Sequence, residues 1–294
     1  MPDGARLSVI IVNWNTRDLL RRCLASLRAY PPSVPMEIIV VDNASADGSG
    51  VMVREEFPEV ALIEPGRNTG YAAGNNLGFA QAKGEYLLTL NPDTEVFEGT
   101  LDEALRVLDR SPRAGSLGAK LIGVGGEVQR SVRGYPTLIG VLGDITGLAR
   151  RLPGSVWDQY RQFGLDLEAE AEVDQPMGTF LLCRRTALAQ IGDPRQPFDE
   201  DFPIFFNEVD LLARLAIAGW TCIYAPSVRV LHHGGESTKQ VRKAMIWESH
   251  RSLVRYWKKH WPALARYTIL PILAGLIYGG ALVRARGYDV GFRA

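Results

Sequence analysis

The chain is poor in cysteine. Cys23, Cys183 and Cys222 are scattered over 294 positions, in odd number and in no paired spacing, which excludes a disulfide scaffold and favours a reducing compartment. Net charge is also missing, since 33 Lys and Arg balance 33 Asp and Glu, so no overall electrostatic pull toward nucleic acid is expected. Long apolar runs are absent at the start. Leu7 to Val12 is short and flows into polar Asn13, so no secretory signal is expected. With 46% hydrophobic and 22% charged residues, 30 Gly and 17 Pro, the composition excludes collagen-like, low-complexity and coiled-coil chains. A soluble globular α/β unit with an appendage fits the length. No internal repeat stands out.

The zero balance hides an uneven distribution. From residue 236 onward eleven basic residues face three acidic ones, a surplus of eight that the preceding part offsets with an equal acidic surplus. The basic residues from Lys239 to Lys259 fall along a helical pattern at 240–261 and are interleaved with Trp247, Tyr256, Trp257 and Trp261. Residues 267–283 carry no charge, but a stretch this short, holding Pro271 and three glycines, sits at the lower edge of a membrane span. It reads as a membrane-contacting hairpin or interfacial helix, and equally as a buried core helix. Basic residues and interfacial aromatics together suit an anionic membrane surface. A solvated helix face accounts for the same charges.

The first half alternates short β-rich runs with helical patterns, as βαβ units do. Leu7–Asn13, Glu37–Val41, Val60–Ile63 and Tyr86–Leu90 read as strands, and Asp18–Tyr30, Asp47–Phe57 and Tyr71–Lys83 as helices. The strands are apolar runs rather than alternations, so a buried, mainly parallel sheet is expected. Ligands of such sheets gather beyond the strands' carboxyl ends, which singles out Asn13–Asn15, Asp42–Ser45 and Asn91–Glu95. The second half is less regular. Gly115–Ile122 and Thr179–Cys183 read as strands flanking a long irregular segment, followed by a helix at Glu208–Gly219 and strands at Thr221–Tyr224 and Val228–Leu231 on either side of Pro226.

Several of these positions carry chemistry. Asn91 and Asp93 flank Pro92 just past a strand, a spacing that lets two oxygens face one hard cation such as Mg²⁺ or Mn²⁺ bridging a diphosphate. The same tripeptide is also an ordinary turn. Asp42 ends another strand, where a carboxylate accepts a base or ribose hydrogen bond. Arg67, Asn68 and Gly70, then Gly74, Asn75 and Asn76, supply donors and compliant backbone ahead of a helix, suited to close approach by a nucleotide. No G-x-G-x-x-G follows the first strand, so dinucleotide oxidoreduction is poorly supported.

Taken in order, LSVIIVNWN, VVDNASADGS, NTGYAAGNN and LTLNPDTE, then QPMGTFLLCRR, FDEDFPIFFNEVDLLARL and VLHHGGES, resemble the inverting family 2 glycosyltransferases of GT-A fold. The branch most resembled contains bacterial rhamnosyl- and galactofuranosyltransferases. The resemblance covers Leu7 to Trp261. It implies a Rossmann-like nucleotide-diphospho-sugar transferase with a mixed, mainly parallel sheet flanked by helices, a catalytic domain at 1–237 and a C-terminal helical extension at 238–294.

The resemblance also implies roles. Asn13 and Asn15 would lie beside the nucleotide and Asp42 would bond its base. Asn91-Pro-Asp93 matches the family's Asp-x-Asp motif with Asn in the first place, making Asp93 the main metal ligand. Asn207-Glu208 occupies the family's acidic pair, so Glu208 would be the catalytic base, with Asn207 and Asp210 in support. His232 falls where relatives hold the metal with a histidine. Without the resemblance, Glu208 reads as an ordinary first-turn acid and His232 as a satisfied strand-end histidine. The implied reaction moves a sugar, rhamnose favoured, from a dTDP- or UDP-sugar to a hydroxyl of a glycan or lipid-linked acceptor. It would be aided by Mg²⁺ or Mn²⁺, in the cytoplasm or peripherally at the inner face of the membrane. A glycosidase and a non-catalytic sugar-nucleotide or polysaccharide-binding module are the alternatives.

Overall fold

The structure is a computed structural model that describes residues 5–234 and 241–289. Its first half alternates strand and helix: β1 (Leu7–Asn13), α1 (Arg17–Ala29), β2 (Met36–Asp42), α2 (Ser49–Glu56), β3 (Ala61–Ile63), α3 (Gly70–Gln81) and β4 (Tyr86–Leu90). Then come β5 (Thr94–Val96), α4 (Thr100–Asp109), β6 (Ala114–Ile122) and the two-residue strands β7 (Val128–Gln129) and β8 (Val132–Arg133). The middle segment adds α5 (Leu138–Thr146), α6 (Leu148–Arg151), β9 (Ala171–Val173) and β10 (Gln175–Pro176). The chain continues through β11 (Phe180–Arg184), α7 (Arg185–Ile191), α8 (Asn207–Ile217) and β12 (Thr221–His232), and helices follow at Arg242–His260, Ala263–Thr268 and Leu270–Arg284.

One mixed sheet organises the molecule in the order β3-β2-β1-β4-β11-β6-β12-β5, with β7 and β9 attached to β6 and β12. The half from β3 to β4 is parallel, and β11 runs antiparallel between β4 and β6. Helices cover both faces. On one, α1 buries Leu20, Cys23, Leu24 and Leu27 and α4 buries Leu101, Ala104, Leu105 and Leu108, each set at helical spacing. On the other, α3 lies close to β1: a Cβ at Gly78 would come within 2.4 Å of Ile10 Cγ2, so only glycine permits that approach. All three cysteines are free and buried, and burial pushes the Cys23 and Cys222 thiols up to about 12.

Two differences from the sequence-based expectation bear on the site. The strands expected on either side of Pro226 form the single strand β12, which passes the proline through a register shift between Ala225 and Arg229. The short β5, which the sequence pattern does not announce, turns back after Asp93 to pair with the end of β12, Thr94 lying opposite His232.

The C-terminal stretch also departs from expectation. Trp247, Tyr256 and Trp257, expected at headgroup depth, are buried, and Trp261 stacks on Trp257 at 4.7 Å. Tyr256, Trp257 and Trp261 fill the seam between the Arg242–His260 helix and the body, where the Trp257 indole donates to the Pro136 carbonyl, while Trp247 packs against Tyr278 and Ala281 of the last helix. Residues 267–283 do not form a core helix. In the Leu270–Arg284 helix only Leu270 and Ala281 are buried. No helix among the described residues is long and apolar enough to cross a membrane. The expected boundary between 237 and 238, and Lys239, lie outside the described residues.

Asp210 fixes the Arg242–His260 helix to α8. It is fully buried and accepts from Arg214 Nε at 2.8 Å and His260 Nε2 at 2.8 Å, with Lys259 Nζ at 2.7 Å. Burial alone would raise its pKa, but His260, Arg214 and Lys259 outweigh that and hold it at about 2. Removing one partner from a buried ionic cluster costs about 3–5 kcal/mol, so Asp210→Asn is expected to lower unfolding stability by about that much at pH 7. The depressed pKa means that this stabilisation is fully present above the ordinary aspartate value of 3.8 and is lost as pH falls toward about 2. Urea titrations should show wild type and variant converging over that window. A deficit that persists unchanged at pH 2 would assign the loss to packing instead.

Candidate active site

The strand ends and the loops facing them enclose a cavity of about 770 Å³. Its floor is formed by Val12, Trp14, Asn43, Asn91, Pro92 and Asp93, with Asn68, Gly70 and Tyr71 from the start of α3 beside them. Met177, Gly178 and Thr179, Asn207 and Glu208 at the start of α8, and His232 at the end of β12 form further walls. Val241, Ala244 and Met245 also line it, so the segment expected as an extension contributes to the site wall.

Of the residues singled out from sequence, Asn68, Gly70, Asn91, Asp93, Asn207, Glu208 and His232 share this cavity. The others support it from behind or lie outside it. Asn13 is fully buried, its amide donating to Asp42 Oδ1 at 2.9 Å and to Ser45 Oγ at 3.1 Å while its oxygen accepts from Thr16. Asp42, 3% exposed, also accepts from the Ser45 hydroxyl. The pair thus forms a buried polar frame that sets the neighbouring Trp14 and Asn43 at the floor. Asn15, with φ at 52°, accepts from the Ala46 amide. Asn75 is buried and donates to the Tyr71 carbonyl, Arg67 is exposed, and Asp210 faces the C-terminal helix.

The α3 entry is held by local bonds. Gly70 sits at φ 85°, a left-handed conformation that glycine adopts without strain. Its amide donates to Asn68 Oδ1 and its carbonyl accepts from Asn43 Nδ2. The Tyr71 hydroxyl donates to the Gly178 carbonyl at 3.1 Å, and its pKa is pushed up by burial and then by the charges of Glu208 and Asp93. Its phenol therefore stays protonated between the two carboxylates.

Glu208 is the second residue of α8, whose N-cap, Phe206, occupies the left-handed region at φ 66°. A bulky residue there stores about 1–3 kcal/mol of backbone strain, a pattern concentrated at functional sites. The Phe206 ring packs 5.8 Å from Tyr256 of the C-terminal helix. Burial raises the Glu208 pKa, opposed by the backbone amides of Glu208 and Gly178 and by the charge of Arg133. The net upward shift is what a proton acceptor working near neutral pH requires. Asn207, beside it, donates to the Ile204 carbonyl and is 1% exposed.

Because β5 pairs with β12, Asp93 and His232 meet although they stand far apart in sequence, with His232 Nε2 3.5 Å from Asp93 Oδ2. Gln129, which sequence reasoning missed, settles the imidazole's orientation. Its amide nitrogen donates to the His232 carbonyl at 3.1 Å, so its oxygen accepts from His232 Nδ1 at 2.6 Å. In the neutral ring the proton is then on Nδ1 and the Nε2 lone pair faces the carboxylate, an arrangement that suits a cation. Among the described residues no group of three His, Cys, Asp or Glu is placed to hold a metal. Asp93 and His232 are the residues that would hold a divalent cation here, a carboxylate oxygen and an imidazole nitrogen being two of the ligands such an ion takes. No composition or periodicity signal marks Gln129; only the β6–β7 hairpin brings it there.

Comparison with known proteins bears on the family and the fold. The model of glycosyl transferase family 2 matches residues 8–192, a span that ends before Glu208 and His232. The N-acetylglucosaminyl-diphospho-decaprenol L-rhamnosyltransferase of Mycobacterium tuberculosis is 32% identical over 95% of each chain. A hexosyltransferase of low-salt glycan biosynthesis from Haloferax volcanii is 26% identical over 71% of this chain and 61% of its own. Among solved structures, a mannosyltransferase from Pyrobaculum calidifontis in complex with GDP-Man and Mn²⁺ superposes with a TM-score of 0.57 at 19% identity, covering 97% of this chain and 76% of that one. Residues 1–349 of S. aureus TarS give 0.54 at 16% identity, covering 95% and 82%. The glycosidase and binding-module alternatives give way to these matches: the chain belongs to glycosyl transferase family 2 and is a glycosyltransferase of GT-A fold.

Proposed function

We propose that this glycosyltransferase is an inverting, metal-dependent rhamnosyltransferase. It would move rhamnose from a nucleoside diphosphate, dTDP rather than UDP, to a hydroxyl of a lipid diphosphate-linked N-acetylglucosamine. The observation that carries the reading is the meeting of Glu208 with the Asp93–His232 pair in one cavity. The mycobacterial rhamnosyltransferase, matching nearly end to end, supports the choice of sugar and acceptor.

In this reading the frame of Asn13 and Asp42 keeps the floor rigid under the nucleotide, and Asn68 offers its amide group to it. Asp93 and His232 would hold a divalent cation, which when bound supplies charge neutralisation for the departing diphosphate. Glu208 takes the proton from the acceptor hydroxyl as its oxygen attacks the sugar's anomeric carbon. The bond to the nucleoside diphosphate breaks on the far face, and the configuration inverts. The Tyr71 hydroxyl, kept protonated, adds no negative charge between the two carboxylates.

Membrane attachment belongs to the same proposal. Ile272, Leu276 and Val283 form one exposed stripe, and Leu264 and Tyr267 are 77% and 75% exposed on the preceding helix. Arg284 and Arg286, both exposed, follow Val283 at the end of the last helix. Such a surface suits the interface of an anionic bilayer, each basic residue contributing about 1 kcal/mol. The aromatic anchors expected from sequence are replaced in this role by the aliphatic stripe.

Three groups of outcomes are expected, for the base, the metal site and the membrane surface. Glu208→Gln should leave donor affinity near normal and lower kcat by roughly 10²-fold or more. In the wild type, activity should fall with decreasing pH along a limb lying above the ordinary glutamate value of 4.5, because the base must be ionised and its pKa is raised. A limb at or below 4.5 would assign the proton transfer elsewhere. Calorimetric titration and thermal shift with dTDP and Mn²⁺ should show Asp93→Asn losing the metal-dependent part of binding. Gln129→Leu should weaken metal affinity about 10–100-fold; Mn²⁺ dependence unaltered in both variants would remove the metal site from this position. Finally, the protein should sediment with phosphatidylglycerol vesicles at physiological salt and less so at high salt. Replacing Ile272, Leu276 and Val283 by Ser should reduce the pelleted fraction without changing dTDP binding. Equal partition to neutral and anionic vesicles would refute the electrostatic part of the attachment.

A further inference from the structure

Arg133 stands in an unusual electrostatic position. It lies on β8, whose pairing with β10 sets Arg133 opposite Gln175, and two residues beyond Gln175 the chain enters the cavity wall at Met177 and Gly178. Its guanidinium is half-buried, 5.7 Å from the centre of the Tyr160 ring. No hydrogen bond or ion pair joins it to any described residue. Its neighbours differ in this respect: Arg161 is paired with Asp144 at 2.6 Å, and Arg130 donates to the Gln162 carbonyl. The charge of Arg133 is nevertheless felt at Glu208, whose pKa it lowers against the larger effect of burial. A guanidinium drawn partly out of water is ordinarily matched to an anion. Its planar fork suits phosphate oxygens in particular.

The chain beyond Arg133 points to the source of that anion. Gly134 to Thr137 lead into α5, capped by Thr137 Oγ1 accepting from the Gly140 amide. Leu138 and Val141 of this helix pack into the cluster shared with Leu270, Leu273 and Ile277, while Ile139, Leu142 and Ile145 remain exposed. The chain thus offers a carboxylate in the cavity, a cation outside the cavity lining that acts on it and has no ion-pair partner among the described residues, and, next in sequence to that cation, an exposed apolar helix adjoining the Leu270–Arg284 helix. A sugar, a diphosphate and a hydrocarbon chain succeed one another in the same order in a lipid-linked acceptor.

We propose that Arg133 binds the diphosphate of the acceptor, fixing the acceptor sugar with its hydroxyl at Glu208 and its lipid toward α5. This rests on the reading of the chain as a transferase with a lipid diphosphate-linked acceptor. The anion is the acceptor's, separate from the donor diphosphate that Asp93 and His232 serve.

The test compares wild type, Arg133→Gln and Arg133→Lys on two acceptors carrying the same sugar: farnesyl-diphospho-N-acetylglucosamine and the uncharged octyl N-acetylglucosaminide. Transfer kinetics are paired with direct calorimetric titration of each acceptor. Arg133→Gln should raise both the KM and the Kd of the diphosphate acceptor about tenfold or more, the loss of a charge-assisted hydrogen bond. It should leave the KM and Kd of the octyl glycoside and dTDP binding unchanged, any change in kcat that follows from the higher pKa of Glu208 being common to both acceptors, and the lysine variant should recover part of the loss in KM and Kd. A retained thermal shift with dTDP shows that the variants are folded. Equal losses on both acceptors, a fall in dTDP affinity, or no change on the diphosphate acceptor would each overturn the assignment, as would failure of the wild type to bind that acceptor. Failure of the transferase reading looks different: binding of the diphosphate acceptor that depends on Arg133, with no transfer from any nucleotide sugar.

Discussion

The Asp210 carboxylate, sealed between α8 and the Arg242–His260 helix, holds together parts of the chain that the site needs in register. Arg214 comes from its own helix and Lys259 and His260 from the other, so the charge is balanced only when both helices are docked. Around it the seam is apolar, with Phe202, Val209, Tyr256 and Trp257 buried together. That packing offsets the left-handed backbone of Phe206 and presents Glu208 to the cavity. The Trp257 indole, reaching the Pro136 carbonyl, extends the same brace to the loop between Arg133 and α5. The C-terminal helix is in this sense part of the catalytic scaffold.

The same seam changes the meaning of the uneven charge distribution. Part of the basic character of the C-terminal region is neutralised internally: Lys259 meets Asp199 at 2.5 Å as well as Asp210, across the seam to the body, and Arg255 meets the buried Glu248 of its own helix at 2.5 Å. Acidic body and basic tail attract one another across an interface. Charges outside these pairs, including the exposed Arg284 and Arg286 at the end of the last helix, are the ones available to another surface.

Much of the fold is legible in the sequence because a buried parallel sheet writes itself as apolar runs. The strands Leu7–Asn13 and Tyr86–Leu90 show their full bounds for that reason. Features made by pairing at a distance leave no local trace. The three-residue β5 is too short for any periodicity, yet its return to β12 joins Asp93 to His232. Gln129 and Arg133 sit on two-residue strands, in a segment whose Gly-rich sequence suggests only a loop. Polar strand ends show where a ligand belongs, but sequence does not distinguish the residues that face the cavity from those beneath it. Asn13 and Asp42 turn toward each other because β1 and β2 pair in register at that point. Trp247, Tyr256 and Trp257 resemble lipid anchors in the sequence because an aromatic among basic residues reads alike whether its apolar partner is a bilayer or the rest of the protein.

The pairing of β5 with β12 has a consequence for how activity arises during synthesis. Asp93 is among the first residues of the site to be made, but it gains His232 only when the last strand has been added, and Glu208 is braced only after Lys259 and His260 follow. Contacts of such long sequence separation form late in folding and carry a high loop-closure cost. A nascent chain with β1 to β4 in place therefore presents the cavity floor with neither the Asp93–His232 pair nor a docked Glu208, the groups to which the proposed function assigns metal and base. Under that proposal, donor capture and turnover belong to the finished chain alone, which protects a reactive nucleotide sugar from futile hydrolysis on a half-made enzyme.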